Sequence, residues 1–196
     1  MMLFTSLINF SLQFRLMLVC FVLVLLTLPF QALAQKEAET FTAKNAIYLE
    51  VGGSSGIYAF NYSKIFHQKG KLKLNASAGF SMLPNEKIDS KTIWLPAIPL
   101  EITALYGKSS NHLEMGFGIT SYLDKTTAMD SETFELSDKV VFGAVIPVRI
   151  GYRYQKPEGG FFFRVGYTPL FGVPVRAGKS WSFNPYHAGV SFGKSF

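Results

Sequence analysis

The chain has 196 residues, of which 48% are apolar and 16% charged, and its mean hydropathy is +0.21. This composition excludes a disordered chain and is typical of one folded domain. Basic residues exceed acidic residues by 19 to 13 but are scattered, so we predict no nucleic-acid partner. The single cysteine excludes a disulfide scaffold and a multi-thiolate zinc site, and we predict no metal and no cofactor.

The N-terminus has the pattern of an export signal. One charged residue, Arg15, precedes an apolar run over residues 16–28, and small residues follow in the triplet 32–34. The run is shorter than the roughly 20 residues that a membrane-spanning helix needs. We therefore predict a signal peptide over residues 1–34, cleaved before Gln35, with a retained N-terminal anchor as the alternative.

From residue 46 onward the sequence alternates between apolar and polar residues, which predicts β-strands. The predicted strands cover residues 46–53, 56–66, 71–82, 92–107, 112–122, 139–155, 160–172 and 186–196. An even number of strands suits a closed antiparallel barrel, and the connections alternate between short and long. This alternation is typical of outer-membrane barrels, with short periplasmic turns and longer external loops.

The two faces of the predicted strands differ in polarity. One face carries large apolar residues and the other carries polar, charged and small residues. A soluble lipocalin-like barrel has the opposite arrangement, with an apolar cavity and a polar, solvent-exposed exterior. We therefore predict an eight-stranded transmembrane β-barrel with lipid outside and a packed polar lumen. Lys64 and Lys194 are charged residues on the apolar face, near strand ends where their ammonium groups reach the membrane surface.

Seven charged residues are predicted to face the lumen. They are Glu50, Lys73, Glu101, Glu114, Arg149, Arg153 and Arg164. Since the lumen of an eight-stranded barrel is just wide enough for side chains, we predict that these residues form an ion-pair plug. A gated ion path is the alternative. The inward residues beyond them are small, so either a lipid cavity or the loops are expected to fill that part of the lumen.

Four prolines fall inside predicted strands, at positions 96, 99, 147 and 169. Each removes a donor from the hydrogen-bond ladder, and a closed barrel has no free edge to accommodate it. We therefore expect β-bulges at these positions.

The candidate catalytic residues do not form a convincing set. His187 and Ser191 share a face, but four strand residues separate them by about 13 Å, which is too far for a hydrogen bond. His112 and Glu114 also share a face, without a matching serine. We predict no enzymatic activity.

Two predicted external loops carry charge. The loop over residues 124–138 is acidic and would either attract divalent cations or remain solvated, because it lacks the spacing of a calcium loop. The loop over residues 172–185 combines Arg176 and Lys179 with Trp181 and Phe183, which suits contact with lipid phosphates or with a surface partner.

The last predicted strand, residues 186–196, alternates and ends on Phe196. With this ending, residues 46–196 resemble the small outer-membrane β-barrel proteins of Gram-negative envelopes, the OmpA/OmpX-like class. The resemblance implies that the barrel-assembly machinery and periplasmic chaperones recognise Phe192 and Phe196. It also implies that residues 35–45 form a periplasmic N-terminal segment and that both mature termini are periplasmic.

The same resemblance implies contact with outer-membrane lipids and lipopolysaccharide, and a structural or surface-interaction role. A barrel enzyme that modifies lipid A or phospholipid is the first alternative. A secreted lipocalin-like carrier is the second.

Overall fold

A computed structural model describes residues 38–86, 91–129, 136–175 and 180–196. The predicted signal peptide and its cleavage site lie outside the described residues. Within these ranges, no helix has the length and the apolar character needed to cross a membrane.

The described residues form ten strand segments and one short 3₁₀ turn, Gly53–Ser55. The strands are β1 (Asn45–Gly52), β2 (Tyr58–Lys69), β3 (Leu72–Glu86), β4 (Thr92–Tyr106), β5 (Asn111–Met129), β6 (Leu136–Gln155), β7 (Gly160–Tyr167), β8 (Leu170–Gly172), β9 (Ser182–Asn184) and β10 (Ala188–Ser195). The predicted strand 160–172 is thus divided into β7 and β8. The predicted strand 186–196 begins later than expected, and β9 lies within a predicted loop.

Hydrogen bonds close these strands into a barrel. From β1 to β7, each strand pairs antiparallel with the next, and β10 pairs with both β7 and β1. β8 continues the line of β7 alongside β6, and β9 pairs with β8. Over the described residues the ten segments therefore occupy eight positions in the wall, which confirms the predicted closed, eight-stranded antiparallel barrel.

The two ends of the barrel differ. At one end, which we call the terminal end, the backbones of Asn45 and Phe196 exchange hydrogen bonds of 3.0 and 2.9 Å. At the opposite end, which we call the loop end, β5 and β6 remain paired as far as Met129 and Leu136. The predicted acidic loop 124–138 is therefore mostly a β-hairpin, because β-branched residues on both sides favour strand pairing there.

The prolines do not produce the expected bulges. Pro96 pairs with Met82, and the register of β6 against its neighbours is the same on both sides of Pro169. Pro169 instead coincides with the break between β7 and β8, because a residue without an N–H interrupts the ladder while inserting no extra residue. The recorded register shift lies in β2, between Ile65 and His67, where no proline occurs.

The barrel is charged inside and apolar outside. The side chains of Arg149, Arg153 and Glu114 are at most 1% exposed in the lumen. By contrast, Phe117 and Ile102 on the outer surface are 63% and 51% exposed. A soluble protein does not expose a continuous surface of this kind, since water would have to cover it.

Candidate functional site

The lumen holds a compact cluster of charged side chains. Arg149 donates from Nε to Glu101 and from Nη2 to Glu50, both at 2.5 Å. Arg164 contacts the same two carboxylates, at 3.1 Å from Glu101 and 2.9 Å from Glu50. Two arginines thus bridge two carboxylates, and each charge is compensated in a space that excludes water.

The third carboxylate lies at the edge of this cluster. Glu114 is 3.5 Å from both Arg153 and Arg164. Arg153 also donates to the side-chain oxygen of Gln155, at 2.6 Å from Nη2 and 3.0 Å from Nε. Three carboxylates therefore face three guanidinium groups, and the cluster is neutral when all six are ionised.

Two of the arginines also make cation–π contacts with aromatic rings in the lumen. The guanidinium of Arg164 lies 4.8 Å from the ring centre of Tyr48, and that of Arg153 lies 4.7 Å from Phe162. The two rings stack on each other with centroids 4.8 Å apart. Sequence reasoning did not single out these two aromatics, although they share the strand face of Glu50 and Arg164 and could have been found by that phase.

Lys73 does not join the cluster, contrary to its predicted place in the ion-pair network. Its Nζ donates to the carbonyl of Gly107 at 2.9 Å and lies 4.9 Å from the ring centre of Phe41. Lys73 and Glu114 both pair with Leu105, which is fully buried. Because this apolar residue lies between them, the structure turns Lys73 towards the terminal end.

Small residues opposite the charges make room for them. Glycine pairs across the ladder with each of three charged residues: Arg149 with Gly116, Glu101 with Gly118 and Glu114 with Gly151. A Cβ at any of these glycines would press against the neighbouring strand's backbone. The long charged side chains therefore fill the lumen by lying over the glycines of the adjacent strands.

The segment that precedes β1 closes the terminal end of the lumen. Phe41 is 1% exposed, packs with Ile65 and Leu105, and meets the ring of His112 edge-on at 5.4 Å. Its backbone N–H donates to the side-chain oxygen of Gln68 at 3.1 Å. The described part of the predicted periplasmic segment, residues 38–45, thus contributes a plug, which no alternating pattern in the sequence predicts.

The turn that follows β1 closes the loop end. Ser54 is buried, its hydroxyl accepts from Arg149 at 3.0 Å and its carbonyl accepts from Thr120 at 2.6 Å. Gly53 has a φ of 61°, which a residue with a side chain rarely adopts. This turn, Gly53–Ser55, is therefore an inward turn that folds into the lumen, where either a lipid cavity or the loops were expected.

The candidate catalytic residues have other contacts. The Nε2 atom of His187 is 2.9 Å from the carbonyl of Gly53. Ser191 accepts from Arg164 at 3.2 Å and is 3.5 Å from Glu50. His187 and Ser191 therefore stabilise the inward turn and the ion-pair cluster, respectively.

The charged loops are only partly described. Lys125 and Asp138 form an ion pair of 3.0 Å across the β5–β6 hairpin. Three acidic residues of the loop 124–138, at positions 130, 132 and 135, lie outside the described residues. In the loop 172–185, Arg176 and Lys179 also lie outside them. Among the described residues, no group of three or more His, Cys, Asp or Glu side chains could hold a metal ion.

The aromatic residues of the predicted assembly signal lie on the outer surface. Phe192 is 47% exposed and pairs with Leu49 and Phe163 on the neighbouring strands. Phe196 is 51% exposed at the end of the seam between β10 and β1. Both rings are thus accessible from outside the folded barrel.

The comparisons with known proteins add one structural neighbour. No protein-family model and no curated protein matches the chain. A solved structure, the N-terminal β-barrel domain of Pseudomonas aeruginosa OprF, is similar with a TM-score of 0.41 and 14% identity, over 78% of this chain and 96% of that one. The chain's own strand pairing makes it a closed, eight-stranded antiparallel barrel, the architecture of the small OmpA-like barrels that its sequence resembles.

Proposed function

We propose that the protein is an integral outer-membrane β-barrel protein with a structural or surface-interaction role and a lumen closed by ion pairs. The inverted polarity of the barrel is the observation that carries this proposal. Large apolar side chains are about half exposed around the wall, whereas the charged ones are buried at its centre. A bilayer solvates such a wall, and closure of the sheet leaves no unpaired edge in lipid.

The distribution of aromatic residues supports the same proposal. Tyr62, Tyr106 and Tyr152 are exposed on the outer surface near the terminal end, and Trp94 is 55% exposed towards the loop end. Tyrosine and tryptophan favour the two membrane interfaces. We infer that the terminal end, with its short turns, faces the periplasm.

The contacts in the lumen favour a structural role. Ion pairs fill its middle, and segments next to β1 fill both ends. A lipocalin-like carrier needs an apolar lumen, which is the reverse of this arrangement. The hydroxyl of Ser191 is held by Arg164, which gives no support to a lipid-modifying hydrolase.

Electrophoresis of the envelope fraction, with and without boiling, tests the proposal. A folded transmembrane barrel is expected to require detergent for extraction and to migrate differently before and after boiling. A protein that is soluble without detergent and shows no shift would contradict the membrane assignment.

A further inference from the structure

A concave apolar groove lies on the outer surface of the barrel, across β2 to β6. Its volume is about 670 Å³, within the range of roughly 300–1,000 Å³ that ligand clefts occupy. Ala76 and Ala78 of β3 form its floor. Tyr62, Ile102 and Phe117, which are 47%, 51% and 63% exposed, rise on either side.

The strand register explains why the wall is concave there. Ala76 pairs with Lys64 on β2 and with Ile102 on β4, while Ala78 pairs with Tyr62 and Leu100. Two small side chains therefore lie on adjacent rungs between larger ones. A depression over β3 results, between the larger side chains of β2 and β4.

One exposed positive charge lies at this groove. Lys64 is on the apolar outer face of β2, two residues nearer to the terminal end than Tyr62. It pairs with Asn45 of β1. Within the described ranges it has no recorded ion pair. Glu101 also borders the groove, but its carboxylate points into the lumen and contacts Arg149 and Arg164.

We propose that the groove is a binding site for one anionic phospholipid. Its phosphate lies at the ammonium of Lys64, and an acyl chain covers Ala76 and Ala78. A lysine at a membrane surface attracts anionic headgroups while its methylene stem stays in the apolar layer. This inference rests on the proposed function, since it requires that the outer surface faces lipid.

A second outward lysine provides a matched comparison. Lys194 on β10 pairs with Ile47 and Phe161, which are 54% and 60% exposed. Large side chains thus flank Lys194 on both sides. Lys64, by contrast, has the small residue Ala76 on one side. Both lysines carry the same charge near the terminal end, but only Lys64 borders the groove.

The test counts the lipids that the barrel retains. The full chain is exported in a Gram-negative host, purified in mild detergent and checked for heat-modifiable migration. It is then titrated with phosphatidylglycerol and with phosphatidylcholine of identical acyl chains, and bound lipids are counted by native mass spectrometry. The variants are Lys64→Gln and Ala78→Leu, with Lys194→Gln and Ala104→Leu as controls.

We expect one tightly retained phosphatidylglycerol, preferred over phosphatidylcholine by about fivefold, the ratio that corresponds to about 1 kcal/mol per lysine at a membrane surface. Lys64→Gln abolishes the preference, and Ala78→Leu lowers the retention of both lipids. The two control variants retain lipid as the unmodified chain does.

Several results would overturn the site. Equal retention of the two lipids, or a preference that survives Lys64→Gln, contradicts it. A dimer that Ala78→Leu dissociates would assign the groove to a second copy of the chain instead. A chain without heat-modifiable migration would refute the membrane proposal itself, which separates that failure from the failure of the lipid site alone.

Discussion

The two ends of the lumen are closed by segments on either side of β1, but in different ways. At the loop end, the inward turn Gly53–Ser55 is polar and continuous with β1 and β2, and it bonds to Arg149 and Thr120. At the terminal end, Phe41 is an apolar plug in the segment that leads into β1. The first closure is joined to the ion-pair cluster. The second combines the packing of Phe41 with hydrogen bonds to uncharged groups, such as the carbonyl of Pro157 and the side chain of Gln68.

This difference has consequences for stability. Loss of a contact at the loop end also disturbs the buried charges, which are expensive to leave unpaired. Loss of the ring at the terminal end leaves a cavity but breaks no ion pair. We therefore expect the terminal end to open without unfolding the barrel, and the loop end to remain closed until the barrel unfolds.

The largest effect is expected for Arg149→Ala. Removing this side chain takes a partner from Glu50, Glu101 and Ser54 and should lower the free energy of unfolding by about 3–5 kcal/mol. Urea unfolding in lipid vesicles measures it. The Lys125→Ala variant, which removes a less buried ion pair, is the control and should change stability by less than about 1 kcal/mol. Equal effects of the two variants would contradict the account of the cluster.

A smaller loss is expected for Phe41→Ala. Truncating a buried phenylalanine costs about 3–5 kcal/mol in a closed core, and a plug at the end of the lumen, where the surroundings can relax around a smaller side chain, should give the lower end of that range. Hydrogen exchange of residues 38–44 should accelerate, while exchange in β1 and β10 stays slow. Uniform acceleration throughout the barrel would show that this plug does not open by itself.

The inward turn is tested by Ser54→Ala. The carbonyl of Ser54 still accepts from Thr120, so only the hydroxyl contact with Arg149 is lost. A hydrogen bond to a charged group contributes about 1.5–3 kcal/mol, and we expect a loss near 1.5 kcal/mol in urea unfolding. A loss as large as that of Arg149→Ala would mean that the turn, not the ion pairs, dominates this region.

The smallest effect is expected for Lys73→Met. Lys73 donates to a backbone carbonyl and contacts no carboxylate among its recorded partners. Methionine fills similar space, so stability in urea should change by less than about 1.5 kcal/mol. A loss of 3 kcal/mol or more would show that Lys73 belongs to the charge network after all.

The sequence predicts the wall of the barrel well, because period-two alternation is a local signal. Arg149, Arg153 and Glu114 all occupy the predicted inward face. The expected bulges at the prolines were wrong, because a missing donor interrupts the ladder without inserting a residue. The actual register shift beside Phe66 has no such marker in the sequence.

The closures at the two ends could not be predicted in the same way. Phe41 lies outside any alternating segment, and its burial depends on contacts with residues 65 and 105, far along the chain. The inward turn follows from the backbone freedom of Gly53, but a glycine-rich turn is equally consistent with an external loop. The inward strand face of Lys73 did not predict its partners correctly. Leu105 lies between Lys73 and Glu114, so Lys73 does not join the ion pairs.

Fluorescence quenching at one outer-surface position tests the central claim most directly. The Phe117→Trp variant, made in a chain with both native tryptophans replaced by phenylalanine, places a single indole midway along the outer wall. In vesicles, lipids with brominated acyl chains should quench this indole strongly, and aqueous iodide should hardly affect it. Strong quenching by iodide, with none by brominated lipid, would mean that the apolar wall does not face a membrane.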